Sequence, residues 1–137
     1  MIDARGVPLS IATAGANRHD SKLVERTLNG IEIGRPRPTA DQPQGICLDK
    51  GYDFDIVRDL VAGLGFTAHI RARGEEARAI KTEVGFKARR WVVERTHSWM
   101  NRFRSLLIRW TKKGENYLGL LHLACAYITF AQAGFLG

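Results

Sequence analysis

Two short apolar runs separated by one amphipathic segment constrain the fold of this chain more than any other feature of its sequence. The first run, residues 45–49, ends in an acid, and the second spans residues 66–72. The apolar positions between them fall at helical spacing: Phe54, Val57, Leu60, Val61 and Leu64. Strand, helix and strand in this order predict a βαβ unit with parallel strands and a right-handed crossover. The continuous apolar character of the first run predicts a buried strand.

The residues before this unit predict smaller elements. Alternating apolar and small side chains around a turn signal predict a β-hairpin over residues 1–14. Asp20 or Ser21 is suited to cap a helix that ends near Asn29, and Asp53 is suited to cap the helix over about 54–64. Residues 34–44 contain three of the four prolines, which predicts a surface connection rather than a domain boundary.

The C-terminal third predicts a pair of helices. A long helix over residues 88–110 would bury one apolar stripe, made of Val92, Trp99, Phe103, Leu106 and Trp110. Gly114 is expected to break it, and a very apolar helix follows over residues 116–132. That helix approaches the length of a membrane span, but its polar positions and the lack of a second span favour a buried core helix.

Length and cysteine content limit the class of protein. A chain of 137 residues fits one domain with a real hydrophobic core. Two cysteines, Cys47 and Cys125, are too few for a disulfide scaffold. We expect no signal peptide, because the sequence has no basic start followed by an apolar run. We therefore expect two buried thiols in a protein of the reducing cytosol.

The positive charge of the chain is concentrated in one stretch. Residues 87–113 carry nine basic side chains and one acid, a net charge of +8, whereas the rest of the chain sums to −1. Such a stretch is typical of a surface that binds a polyanion, although a solvated basic helix face has the same composition.

Two acids are candidates for metal chemistry. Asp49 comes at the end of a predicted strand, where α/β folds place ligands, and Glu94 is the one acid of the basic stretch. His97, Ser98 and Asn101 continue the helix face of Glu94, and the apolar stripe lies on the other side. Each has an ordinary alternative, a turn or helix-start residue for Asp49 and an ion-pair partner for Glu94. Together they could hold Mg²⁺, with the surrounding cations on a DNA backbone. The candidate DNA-binding residues are Arg90, Arg95, Arg102, Arg104, Arg109, Lys112 and Lys113.

Five motifs follow one another in a fixed order along the chain. They are Asp-Ala-Arg-Gly-Val-Pro-Leu at 3–9, Gly-Ala-Asn-Arg-His-Asp-Ser at 15–21, Leu-Asp-Lys-Gly-Tyr-Asp at 48–53, Arg-Trp-Val-Val-Glu-Arg-Thr-His-Ser-Trp-Met-Asn-Arg-Phe-Arg at 90–104 and Asn-Tyr-Leu-Gly-Leu-Leu-His-Leu-Ala at 116–124. This ordered set resembles the C-terminal part of bacterial insertion-sequence transposases of the DDE class. The resemblance covers nearly the whole chain and implies an α/β fold for residues 1–137: an incomplete RNase H-like mixed sheet with flanking helices and a C-terminal helical pair.

The resemblance implies roles for three residues. Asp49 matches the second acid of the family's catalytic triad, Glu94 the third, and Arg90 the arginine of the Arg-x-x-x-Glu signature. In the complete enzyme the acids would bind Mg²⁺ or Mn²⁺ for cleavage and strand transfer at transposon ends. The implied partners are DNA and either an N-terminal transposase polypeptide or a second copy of the chain. The implied location is the bacterial cytoplasm, at the nucleoid and not at a membrane.

The chain also departs from the family pattern. The usual Tyr before the signature Arg falls on Lys87, and the usual Lys after the Glu falls on Asn101, beside Arg102. The first catalytic Asp of the family lies upstream of the hairpin at which this chain begins, and Asp3 matches a turn residue instead.

In the family that Asp lies on the first strand of the fold, so we expect this strand and the N-terminal DNA-recognition region to be absent as well. The absence of the first strand predicts an association-prone fold with an unpaired hairpin edge. A decayed gene and a frameshifted reading frame both remain open as explanations. The alternative functions are a non-catalytic DNA-binding or regulatory fragment of a transposase, and an interaction module that binds an acidic protein.

The missing acid leads to a first prediction. The purified chain with Mg²⁺ or Mn²⁺ should give no cleavage of transposon-end DNA, measured on end-labelled oligonucleotides. Efficient metal-dependent cleavage that Asp49→Ala abolishes would contradict it.

Overall fold

The structure is a computed structural model that describes residues 1–70 and 90–134. Its α-helices are α1 (Val24–Asn29), α2 (Asp55–Gly63), α3 (Arg90–Met100), α4 (Arg104–Leu107) and α5 (Gly114–Gln132). Its strands are β1 (Gln44–Leu48) and β2 (Phe66–Ile70), and short 3₁₀-helices span Asp20–Leu23 and Lys50–Tyr52.

The described residues form two compact units that are interleaved in sequence. The first, called here the βαβ unit, contains residues 14–29 and 33–70. The second, called the helical unit, contains residues 1–13, 30–32 and 90–134. Each unit has its own set of buried apolar side chains.

The βαβ unit contains the strand, helix and strand that the sequence predicts. β1 and β2 pair in parallel, with a register that runs from Gln44↔Phe66 to Leu48↔Ile70. α2 connects them and packs on β2, and Gly65 ends the connection with φ of +80°. The buried side chains are Val24, Leu28, Ile46, Val57, Val61 and Phe66. The predicted mixed α/β character and the parallel pairing are confirmed.

The prediction that β1 is a buried strand is wrong. Ile46 is its one buried residue, and the neighbouring Cys47 is exposed. Successive side chains of a strand point to opposite faces, so a sheet that is covered on one side exposes alternate residues. Cys125 is half-buried rather than buried, and this partial burial raises the pKa of its thiol.

Two predicted caps are also wrong. The first 3₁₀-helix is capped by His19, whose Nδ1 accepts from the Ser21 amide at 3.3 Å. Before α2 the capping position is Phe54, without a side-chain hydrogen bond. The Asp53 carboxylate instead forms an ion pair with Arg58 at 2.6 Å.

The proline-rich segment lies on the surface, as predicted. Arg35 holds the segment against the rest of the βαβ unit. It stacks 4.0 Å from the centroid of the Phe66 ring and donates to the Leu64 carbonyl at 2.8 Å. The side-chain amide of Gln44 donates to the Pro36 carbonyl at 2.6 Å, which joins the two ends of the segment.

In the helical unit α3 and α4 pack against α5. The buried apolar side chains are Val7, Val92, Leu121, Ala124 and Ile128. The predicted hairpin is present as a turn closed by one antiparallel bridge, Ile2↔Pro8, rather than by two strands.

The long helix predicted for residues 88–110 is interrupted. α3 ends at Met100 and α4 begins at Arg104, although no Gly or Pro lies between residues 88 and 113. Phe103 adopts an extended conformation at the break and packs edge-on against Tyr127 of α5, with the ring centroids 5.7 Å apart. A tertiary contact therefore accompanies a break that helix propensity does not signal.

α5 differs from the predicted last helix in its first residue and in how much of its surface is buried. Gly114 is its first residue rather than the breaker that precedes it. It buries one face, while Leu123 and Tyr127 are exposed, so it is not a fully buried core helix. Within the described residues, no helix has the length and apolar character needed to cross a membrane.

A buried hydroxyl fastens the N-terminal turn to α3. Thr96 is 2% exposed, and its Oγ1 donates to the Gly6 carbonyl at 2.6 Å. Gly6 has a φ of +85°, and a Cβ added there would lie 2.9 Å from Thr96 Oγ1. The contact therefore requires a glycine, both for the backbone conformation and for the space.

The different surroundings of Gly6 and Gly119 predict opposite effects of replacing each glycine by alanine. Gly6→Ala should lower the free energy of unfolding by about 1–3 kcal/mol because Ala is strained at positive φ and crowds Thr96. Gly119→Ala, in open space within α5, should raise it by about 0.5–1 kcal/mol through helix propensity. Urea unfolding of both variants measures the difference. A neutral Gly6→Ala would contradict the role given to this contact.

Candidate functional site

Asp49 lies directly after the C-terminal end of β1, in the position that the sequence predicts. It is exposed and precedes the 3₁₀-helix Lys50–Tyr52, and its Oδ1 accepts from the Gly51 amide at 3.2 Å. Asp49 thus has the turn-capping role that was one alternative, while its position at a strand end keeps the carboxylate accessible to a ligand. The two roles are compatible.

Glu94 lies on the exposed face of α3. The same face carries His97, Ser98 and Asn101, and all three are exposed. The buried positions of the helix, Val92 and Thr96, lie elsewhere on its surface. The helix therefore presents the carboxylate on its solvent-accessible side, as the sequence predicts.

Two signature positions are not tested by this structure. The backbone of Arg90 begins α3, but its side chain is outside the described part of the chain, and so is Lys87. The signature role that the resemblance implies for Arg90 stays a prediction.

The two candidate acids belong to different units. Asp49 is in the βαβ unit and Glu94 in the helical unit, so each is described within its own surroundings. Among residues 1–70 and 90–134, no group of three His, Cys, Asp or Glu side chains forms a metal-binding cluster. A metal site shared by the two acids stays a prediction.

Asp3 has the turn role that its sequence position suggests. Its Oδ1 accepts from the amides of Arg5 and Val7, each at 2.8 Å. The carboxylate closes the N-terminal turn and belongs to no group of three or more His, Cys, Asp or Glu side chains in the described residues.

Arg95 differs from the other candidate DNA-binding residues. Its guanidinium stacks on two aromatic rings of the same helix, 4.5 Å from the centroid of Trp91 and 5.2 Å from that of Trp99. It also donates to the carbonyl of Arg5 in the N-terminal turn. The i±4 spacing of the two Trp residues was a signal for this role in the sequence. Arg95 has internal partners, which reduces its availability to a ligand.

The remaining candidate cations cluster in one exposed segment, residues 102–113. Its basic side chains are Arg102, Arg104, Arg109, Lys112 and Lys113, and all are exposed. Arg109 stacks 5.2 Å from the centroid of Tyr117. The other four form no ion pair within the described residues. No acid lies in this segment, so none of its cations has an acidic partner within it.

The predicted burial of one large side chain in this segment is wrong. Trp110 was expected to complete the buried stripe of the long helix, but it is 79% exposed in the irregular link between α4 and α5. The helix break at residues 101–103 ends the periodicity on which that expectation rested. The flanking cations were the signal in the sequence that pointed to the surface.

Comparison with known proteins identifies a family. Residues 46–131 match the family described as "Transposase DDE domain", and this match spans Asp49, Glu94 and the 102–113 segment. No solved structure matches the chain significantly.

Two relatives support the same family. The chain is 31% identical over 128 residues to a protein of Burkholderia cepacia assigned as the transposase of insertion sequence element IS402, covering 92% of this chain and 58% of that protein. It is 25% identical over 130 residues to a Brucella ovis protein assigned as the transposase of IS6501, covering 93% of this chain and 92% of that protein.

The capping role of Asp49 predicts how two substitutions differ. Asp49→Ala should lower the free energy of unfolding by about 0.5–1 kcal/mol because the Gly51 amide loses its acceptor. Asp49→Asn keeps an acceptor oxygen and should leave stability nearly unchanged. Thermal unfolding of the two variants measures the effect. Equal destabilisation by both would mean that the charge, and not the cap, is what the turn requires.

Proposed function

The chain belongs to the family of DDE transposases of bacterial insertion sequences, and we propose on this basis that it forms part of a catalytic domain that cleaves and joins DNA at insertion-sequence ends. The proposed domain architecture is RNase H-like. Because the chain spans 58% of the length of the IS402 relative, this activity is proposed for the domain within a complete transposase. The implied polymer substrate is DNA, at the transposon ends and at the target.

The placement of Asp49 is the observation that carries this proposal. A carboxylate that follows directly on a parallel strand lies at the edge where α/β sheets bind ligands. Glu94 adds a second exposed carboxylate, on a helix whose other side is anchored in a core. Strand end and helix face thereby offer two accessible acids on regular elements.

The donor chemistry of these acids fits a divalent metal. Members of the family generally use such an ion, and carboxylate oxygens are the ligands that Mg²⁺ and Mn²⁺ prefer. Asp49 and Glu94 are the residues that would hold it. When bound, divalent ions stabilise charge on the attacking and leaving oxygens of a phosphodiester. The side chains themselves contribute negative charge and a fixed position.

The 102–113 segment is proposed to hold the DNA backbone. Four of its cations are exposed and form no ion pair with another described residue, which favours their binding to phosphates. Arg95, which stacks within its own helix, is proposed to have a smaller share in binding than the sequence suggested.

A matched pair of double variants tests the DNA interface. Arg102→Gln/Lys112→Gln should weaken binding of a duplex oligonucleotide and lower the slope of log affinity against log salt by about 1.8, at about 0.9 per lost phosphate contact. Lys22→Gln/Arg26→Gln removes the same charge from exposed positions of the βαβ unit and should change neither quantity appreciably. Fluorescence anisotropy over a range of salt concentrations measures both.

The same titration separates the proposal from its alternatives. Equal losses in the two double variants would show that net charge alone attracts DNA, and the proposed interface would be wrong. Binding that responds to the first variant, but not to Mg²⁺ or to Asp49→Asn, would favour a non-catalytic DNA-binding fragment.

A further inference from the structure

Trp110 is the large apolar side chain most exposed within the 102–113 segment. Its exposed fraction is 79%, against 61% for Leu107 and 45% for Ile108. It lies in the irregular link between α4 and α5, where no regular backbone pairing directs it towards a core. An indole in this position leaves much of its apolar ring surface in contact with water, which costs free energy unless a partner covers it.

The neighbours of Trp110 explain why it faces outward. The Nε of Arg109 donates to the Thr111 carbonyl at 3.2 Å, which closes a short bridge across Trp110 in the sequence. The Arg109 guanidinium also stacks over Tyr117 of α5 at 5.2 Å, and Thr111 is half-buried. Arg109 and Thr111, on either side of Trp110, thus make contacts within the helical unit, and the indole between them lies on the surface.

The charge around Trp110 selects the kind of partner. Lys112 and Lys113 lie two and three residues after it, Arg104 lies six residues before it, and none of the three has an ion-pair partner in the described residues. An apolar protein partner would cover the indole but would bring no negative charge to these cations. A partner that carries flat rings on an anionic backbone satisfies both the indole and the lysines, and a nucleic acid strand has this composition.

We propose that Trp110 is a base-stacking residue, which takes one unpaired DNA base on its ring while Lys112 and Lys113 bind the adjacent phosphates. This inference rests on the proposed DNA interface and adds a preference for unpaired over duplex strands. The faces of bases within a duplex are covered by their neighbours, so a side chain that stacks needs a base that is unpaired or flipped out.

Binding of a single strand and of a duplex by the full chain tests this role. The probes are a fluorescein-labelled oligothymidine of 12 nucleotides and a labelled duplex of similar length, measured by fluorescence anisotropy. Trp110→Ala should weaken oligothymidine binding about five- to hundredfold, the range for the loss of one stacked base, and should leave duplex binding unchanged. The salt dependence should stay as in the parent chain because no phosphate contact is removed.

Two further variants give the test its controls. Trp110→Phe keeps an aromatic face and should retain part of the single-strand affinity. Leu107→Ala removes an exposed apolar side chain from the same segment without removing a ring, and should leave both affinities unchanged. Circular dichroism confirms that the folded state of each variant matches the parent.

The outcomes distinguish this inference from the proposed function. If the Arg102→Gln/Lys112→Gln variant loses duplex binding but Trp110→Ala binds oligothymidine like the parent, the stacking role is wrong and the DNA interface stands. Equal losses on both probes with Trp110→Ala would also overturn the stacking role, since stacking is selective for the unpaired strand. If the parent chain binds neither probe, the proposed interface itself is wrong.

Discussion

The hydrogen bond from Thr96 to the Gly6 carbonyl is the contact on which the helical unit depends. It joins residues 90 positions apart, and Thr96 is the one buried polar side chain in the described part of the chain. An unpaired buried carbonyl would cost about 1–3 kcal/mol, so this hydroxyl fixes where the N-terminal turn lies on α3. Glu94 is two residues away on the opposite, exposed side of that helix. The orientation of the candidate acid therefore follows from the burial of its neighbour.

The sequence predicted the local elements better than their surroundings. The spacing of apolar residues, together with the turn residues, was sufficient to predict β1, α2 and β2, because each signal lies within a few residues of the element it defines. They failed at the break after Met100, where the contact of Phe103 with Tyr127 involves residues far apart in sequence. They also overstated burial, since apolar runs do not reveal which face of a strand or helix a neighbour covers.

The candidate site was predictable as residue types but not as an arrangement. Motif position placed Asp49 at a strand end and Glu94 on an open helix face, where the structure has them. The charge pattern did not separate Arg95, which stacks between two Trp rings, from cations that face solvent. That distinction depends on the i±4 neighbours of each cation, which formal charge does not contain.

The interleaving of the two units has a consequence for the order in which the chain folds. All described residues of the βαβ unit precede position 71, so its pairing closes short loops and is complete in sequence early in synthesis. The N-terminal turn and its partner helix α3 are joined by a hydrogen bond between residues 90 positions apart, so this anchoring waits until α3 has been made. Contacts of such high separation slow folding. During synthesis the N-terminal turn therefore stays unanchored after β1 and β2 can pair, and it docks once α3 is present.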